Sequence, residues 1–337
     1  MTASTTPGSA ANGQGSGLRD SSTAVPDAAP RHPANDLDGA ARQWRKEGWV
    51  IIDGLIPQHL IDAAIEELRN SDRGEAAGPI RRPGTGRGSG RRSDDEPKAA
   101  FRGRQFDGTT LFPVIGCPTL NRLFVHDELV RFAGLALQTD DLRIYQTRVW
   151  SKYGEHTNYE QPMHRDGNHS LVPIENVPDW WHLECFVYLQ DVDHTNGATG
   201  IVPGSVARAS LTDRTSRSRE EAPDLYDAEL IATAPAGSVV AYRSDVWHRG
   251  HDLLPGTERH IMVVAFRPAT AEWIGFDEHG PLVNSPDWVS FAEAATPDDL
   301  ALFGVPRPGH RYWTSALLEA MALMYPGLDL GPWFDQL

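Results

Sequence analysis

Four short segments in the second half of the chain do most to limit its fold: LRIYQTRVW from Leu142, HLECFVYLQ from His182, GSVVAYRS from Gly237 and HIMVVAF from His260. Each is rich in β-branched and aromatic residues and is bounded by Gly, Pro, Asn or Asp. Segments of this kind, separated by turn residues, predict an all-β sandwich or barrel. Helices flank them. A strand over 48–55 (GWVIIDGL) leads into a helix over 57–69, where Leu60, Ile61, Ala64, Ile65 and Leu68 share one face. A further helical region is predicted over about 119–138, marked by Leu129, Val130, Phe132, Ala133 and Leu137. Near the C-terminus Ala316, Leu317, Ala320, Met321 and Met324 form another apolar face. The expected architecture is mainly β with flanking helices, as a single domain over 37–337.

Two stretches stand outside this pattern. Residues 1–36 are Ser, Thr, Gly, Ala and Pro with almost nothing large and apolar, which predicts a disordered tail. Residues 72–104 repeat Gly, Pro and Arg. They read as a flexible, solvated insertion, or as a lid whose arginines meet an anionic substrate.

Charge narrows the partners. A net charge of -15 opposes general nucleic-acid binding and docking on anionic lipid. No apolar run is long enough to span a bilayer, and the N-terminus lacks the plan of a secretory signal. Cys117 and Cys185 are too few for a disulfide framework and fit a reducing compartment. The expectation is a cytoplasmic protein that acts on a small molecule, with no nucleic-acid or membrane partner.

The candidate chemistry begins with His164-Arg165-Asp166. Residues i and i+2 of an extended strand face the same way, so one imidazole and one carboxylate can meet a metal. Alone the triplet is weak, since a chain with 13 histidines yields about one His-x-Asp by chance. A third donor, His248, closes a β segment 84 residues later. Two imidazoles and one carboxylate on one face of Fe(II) leave open positions for a bidentate co-substrate and dioxygen. Arg259 follows His248 by eleven residues on an alternating strand, and its planar fork suits the far carboxylate of 2-oxoglutarate. The bland reading of Arg259 is a surface ion pair at a hairpin end.

Rivals exist for each donor. His182 and Glu184 form a His-x-Glu of the same spacing, although a polar face lining the pocket or exposed to solvent is preferred. His251 can replace His248, which is favoured over it. His156 and His169 read as pocket or loop residues. Trp150, Trp180, Trp181 and Trp247 are either pocket walls or core.

Taken in order, these motifs resemble the phytanoyl-CoA dioxygenase family of Fe(II)/2-oxoglutarate oxygenases. EGWVIIDGLIP is similar to the family's opening, and MHRDGNHSLVP to the segment with its first His and Asp. FVYLQDVDHTNGATGIVPGS is similar to its strand, Asn196-Gly197 turn and Pro203-Gly204-Ser205 exit, while HRGHDLLPGTER matches its distal His and spaced Arg. The resemblance implies a double-stranded β-helix (a cupin-like jelly roll) with iron held by His164, Asp166 and His248, and 2-oxoglutarate by Arg259. It further suggests Gln146, then Thr147, as aids to 2-oxoglutarate binding. Asp166 stands where related halogenases carry a small residue, so oxidation without halogenation is expected. The family's Pro-Gly-Ser-His ends here in Val206, and the 72–104 insertion also departs from the pattern. The expected activity is hydroxylation of an aliphatic C–H of a small molecule, with secondary metabolism as its expected setting. The alternatives are a non-enzymatic jelly-roll binding protein and a cupin-like enzyme using another divalent metal.

Overall fold

The β segments pair into two sheets in the computed structural model, which describes residues 29–73, 109–154, 160–166, 181–207, 216–272, 274–275 and 285–337. In chain order the strands are β1 (Arg31–Pro33), β2 (Trp49–Asp53), β3 (Thr109–Leu111), β4 (Leu142–Tyr153), β5 (Leu183–Tyr188), β6 (Thr199–Ile201), β7 (Leu230–Ala232), β8 (Val239–Arg243), β9 (His248–Gly250) and β10 (Glu258–Pro268). The larger sheet has seven strands in the order β1-β2-β8-β5-β10-β4-β3, and the smaller runs β7-β6-β9. Among the described residues only β1 and β2 pair in parallel; the other pairings are antiparallel. The result is a jelly roll with flanking helices. Among the described residues no helix is long and apolar enough to cross a membrane.

Alternation along the strands divides the interior in two. One face of the large sheet presents Val50, Ala241, Cys185, Val264 and Phe266 to a core shared with the helices, including Trp44, Ile61, Leu68, Leu129 and Phe132. Burying each large apolar side chain stabilises the fold by about 1.5–3 kcal/mol. The other face turns Trp49, Phe186, Tyr188, Val240, Ile261 and Val263 towards Ile201 and Ala232 of the smaller sheet. A bulge interrupts this order. Ala265 opposes Gln146 but Phe266 opposes Ile144, so Tyr145 is the extra residue. The bulge brings Tyr145 to Ala265, Ala271 and Ile274 on the inner side.

The helices are α1 (Leu37–Glu47), α2 (Gln58–Arg73), α3 (Pro118–Leu123), α4 (Asp127–Leu137), α5 (Pro223–Asp227), α6 (Pro286–Glu293), α7 (Pro297–Leu302), α8 (Ser315–Met324) and α9 (Gly331–Phe334). The sequence reading passed over α1, although its end signals are local. The Asp36 side chain accepts from Gly39 N, and Gly48, at φ 82°, ends the helix in the left-handed region.

Three expectations are corrected. The tail assigned to 1–36 includes β1, because Arg31 pairs with Asp53 at 2.5 Å and the backbone pairs with β2. The helix over about 119–138 is two helices. Phe124 to His126 separate α3 from α4, and the Asn121 side chain turns back to the Val114 backbone. The face predicted for α8 packs only in part: Leu318 is the helix's buried residue and half-buried Met321 rests on the core, while Ala316, Ala320 and Met324 stand exposed. Most of the 72–104 insertion, with His156, His169 and Trp180, lies outside the described residues.

Candidate metal centre

The backbone brings His164 and His248 together before any side chain does. His164 N donates to His248 O at 2.9 Å and His248 N to His164 O at 2.8 Å. The other edge of β9 is held by β6, where Ile201 opposes His248. Neighbouring Met163 is fixed by a bridge to Arg217 and by the Tyr226 hydroxyl, which accepts from Met163 N at 3.0 Å. Asp166 lies two residues beyond His164, on a bridged extended segment rather than in a continuous strand.

These restraints converge three donors. One ligand atom each from His164, Asp166 and His248 lies within 4.8 Å of the others. Each ring is oriented by its far nitrogen. His164 Nδ1 lies 2.9 Å from Pro162 O, and His248 Nδ1 lies 3.1 Å from Val246 O. A carbonyl only accepts, so both Nδ1 atoms carry hydrogen and Nε2 is the atom each neutral imidazole can offer a metal. The Tyr242 hydroxyl donates to Asp166 Oδ2 at 3.0 Å, and His248 Nε2 lies 3.4 Å from the same oxygen.

The electrostatics match a cation site. Burial, aided by His248, lowers the His164 imidazole to about 4, so it is neutral at physiological pH. Burial pulls His248 down too, but the Asp166 carboxylate outweighs it and raises the imidazole. Burial, then Asp166, pushes the Tyr242 hydroxyl well up, which keeps it a donor. Two imidazoles and a carboxylate suit a divalent first-row metal, and three protein donors leave positions for other ligands.

The rival donors have other partners. His251 Nε2 lies 3.0 Å from Glu229 Oε1, and Arg249 clasps the same carboxylate at 2.7 and 2.9 Å. His182 Nδ1 meets the Tyr145 hydroxyl at 2.5 Å, and that hydroxyl also donates to Glu184. Glu184 and His182 are therefore fully buried members of an inner-face network, not solvated groups.

Arg259 is 2% exposed and donates to Gly197 O, which replaces the hairpin-end surface reading with a buried one. Gly197 holds φ 78° in the Asn196-Gly197 turn. Gln146 faces inward opposite Ala265, and with its amide oriented for hydrogen bonding it donates to Glu184 at 3.1 Å and accepts from Arg148 at 3.2 Å. Thr147 is corrected. It opposes Val264 on the face under the helices, because one step along a strand reverses the side chain. Of the tryptophans, Trp150 packs on the inner core and Trp247 beside Met163, whereas Trp181 lies in the helix-side core. The Pro203-Gly204-Ser205 exit docks on α1: Gly204 N donates to Glu47 O at 2.7 Å and Ser205 N to the Glu47 carboxylate at 3.3 Å.

Sequence reasoning missed Tyr242 and the Arg249–Glu229 pair. Tyr242 was detectable as the inward residue after Val240 on a strand leading to His248; nothing local marked Glu229.

The sequence pattern of the family described as Phytanoyl-CoA dioxygenase (PhyH) matches residues 44–261. No curated protein matches the sequence. Among solved structures the chain is similar to the non-heme alpha-ketoglutarate-dependent epimerase SnoN from nogalamycin biosynthesis, with 18% identity and a TM-score of 0.50 over 70% of this chain and 82% of that one. The structure of SnoN in complex with Fe3+, alpha ketoglutarate and nogalamycin RO gives 18% identity and a TM-score of 0.51 over 70% and 85%. Both likenesses concern the fold.

Proposed function

The chain belongs to the phytanoyl-CoA dioxygenase family, and from that premise we propose that it hydroxylates an aliphatic C–H bond of a small molecule. Its cofactors are those of the family, Fe(II) and 2-oxoglutarate. In this reading His164, Asp166 and His248 hold the iron, and Arg259 holds the far carboxylate of 2-oxoglutarate. The observation that carries it is the convergence of three donor atoms within 4.8 Å, each imidazole tied through Nδ1 to a backbone carbonyl.

When bound, iron and 2-oxoglutarate supply the oxidising chemistry with dioxygen, and 2-oxoglutarate leaves as succinate and CO2. The protein's residues set the conditions for it. The Pro162 and Val246 carbonyls fix the imidazole tautomers, and Tyr242 engages one carboxylate oxygen of Asp166. Phe186, Val240, Ile261 and Val263 keep water from the inner wall. Retention of Asp166 favours oxygen insertion over halogenation. The acidic balance of the chain favours a small-molecule substrate over nucleic acid or anionic lipid.

The test is incubation of the iron-loaded protein with 2-oxoglutarate, dioxygen and a metabolite extract. Succinate formation with a product heavier by one oxygen is expected, and both are lost in His248→Ala. Succinate with a product of unchanged mass would replace hydroxylation by isomerisation. A protein that binds neither iron nor 2-oxoglutarate would favour the binding-protein alternative.

A further inference from the structure

The turn that delivers His248 is held by an ion pair in the helix-side core. Arg243 ends β8, and its carbonyl accepts from Val246 N at 3.0 Å, closing a four-residue turn two positions before the metal donor. Across this turn Arg243 Nε and Nη2 donate to the two carboxylate oxygens of Asp245 at 2.5 and 3.0 Å. The guanidinium is fully buried. Its carbon lies 4.1 Å from the centre of the Trp181 ring and 5.8 Å from that of Trp44.

The end of α1 braces the same turn. Arg243 Nη1 donates to Arg45 O at 3.1 Å, in the last turn of that helix, where a cation also suits the helix dipole. Arg243 N donates to Gly48 O at 2.8 Å. Gly48 is in the left-handed region, and a Cβ there would collide with Val246 Cγ2, so the turn packs on ground that only glycine leaves clear. Past the turn, Trp247 O accepts from Val202 N at 2.9 Å. Val246 is thus fixed from both sides, and its carbonyl is the group that lies 3.1 Å from His248 Nδ1.

We infer that Arg243 and Asp245 are positioning residues for the metal: their pair fixes the 243–246 turn, the turn aims the Val246 carbonyl, and that carbonyl sets which nitrogen of His248 faces the centre. Neither belongs to the donor set itself. The inference rests on the reading of His164, Asp166 and His248 as a metal centre. Stability alone is a weak reason for such a pair, because apolar residues of similar volume often match a buried ion pair in stability. Its distinctive contribution is geometry. The bidentate fork holds two residues of one turn in a single arrangement. Without it the turn can reorient, and His248 Nδ1 loses the acceptor that fixes the tautomer.

The experiment is anaerobic Fe(II) titration of the metal-free full chain, scored per folded chain, with the visible absorption of the Co(II)-loaded protein as a second readout that follows donor geometry. Arg243→Met combined with Asp245→Leu removes the pair as a unit, so that neither charge is left buried alone. The double variant is expected to unfold close to the temperature of the unmodified protein. It should nevertheless weaken Fe(II) by about tenfold to a hundredfold, the range for losing a partner behind a metal ligand, and alter the Co(II) spectrum. Asp245→Asn carries the same comparison if the double variant does not fold. Phe266→Ala, which loosens the same core away from the turn, should leave both readouts unchanged. An unchanged Fe(II) affinity and Co(II) spectrum without the pair would overturn the inference, and so would equal changes in Phe266→Ala, which mark general loosening of the core. Failure of the unmodified protein to bind either metal would instead overturn the metal-centre reading on which the inference rests.

Discussion

Alternate residues of β4 and β10 face opposite ways, and the two rows differ in kind although both are buried. The outer row is mainly apolar, with Val149, Met262, Val264 and Phe266 in the core beneath the helices, and its polar pair Ser151 and His260 meet each other at 2.8 Å. The inner row carries Gln146, Arg148, Lys152 and Arg259 among Ile261 and Val263. Burial alone therefore does not identify a site in this molecule. What separates the rows is the chemistry of what is buried. An apolar row needs only shape and volume, whereas an inward polar row must be satisfied by hydrogen bonds or ligands.

The comparison makes predictions of decreasing size. His248→Ala removes a donor from the inner site, so iron content should fall to background and turnover by more than about a thousandfold. Far-UV circular dichroism should be unchanged; a collapse of the fold would mean that the site is chiefly structural. Phe266→Ala on the outer row should do the reverse. Denaturant unfolding should show a loss of about 3–5 kcal/mol, with iron bound per folded chain unaltered. Tyr242→Phe removes only the hydroxyl that engages Asp166, and iron affinity should weaken by about tenfold to a hundredfold. Its thermal stability should move little. Thr147→Val is the smallest. Because Thr147 faces away from the centre, 2-oxoglutarate affinity should stay within about twofold, and a larger loss would put the strand register in question.

What the sequence disclosed follows the same division. Runs of β-branched and aromatic residues bounded by turn residues revealed β4, β5, β8 and β10, whose two faces are both buried. The donors His164, Asp166 and His248 were legible because side-chain chemistry and spacing coincide there. Gln146 and Thr147 could not be separated without the register, which the bulge at Tyr145 shifts by one residue and no local residue announces. His248 and His251 were distinguished only by tertiary contact, through the Glu229 carboxylate 22 positions away that holds His251. α1 escaped notice because its small residues, Gly39, Ala40 and Ala41, bury little area each, although its cap and its terminal glycine were visible.

The measurement closest to the central claim is anaerobic titration of metal-free protein with Fe(II) and then 2-oxoglutarate, following bound metal by elemental analysis and co-substrate by calorimetry. The prediction is one Fe(II) per chain, 2-oxoglutarate binding that depends on the metal, and loss of both in Asp166→Ala. Binding of iron and 2-oxoglutarate by Asp166→Ala with the stoichiometry and affinity of the unmodified protein would contradict the account.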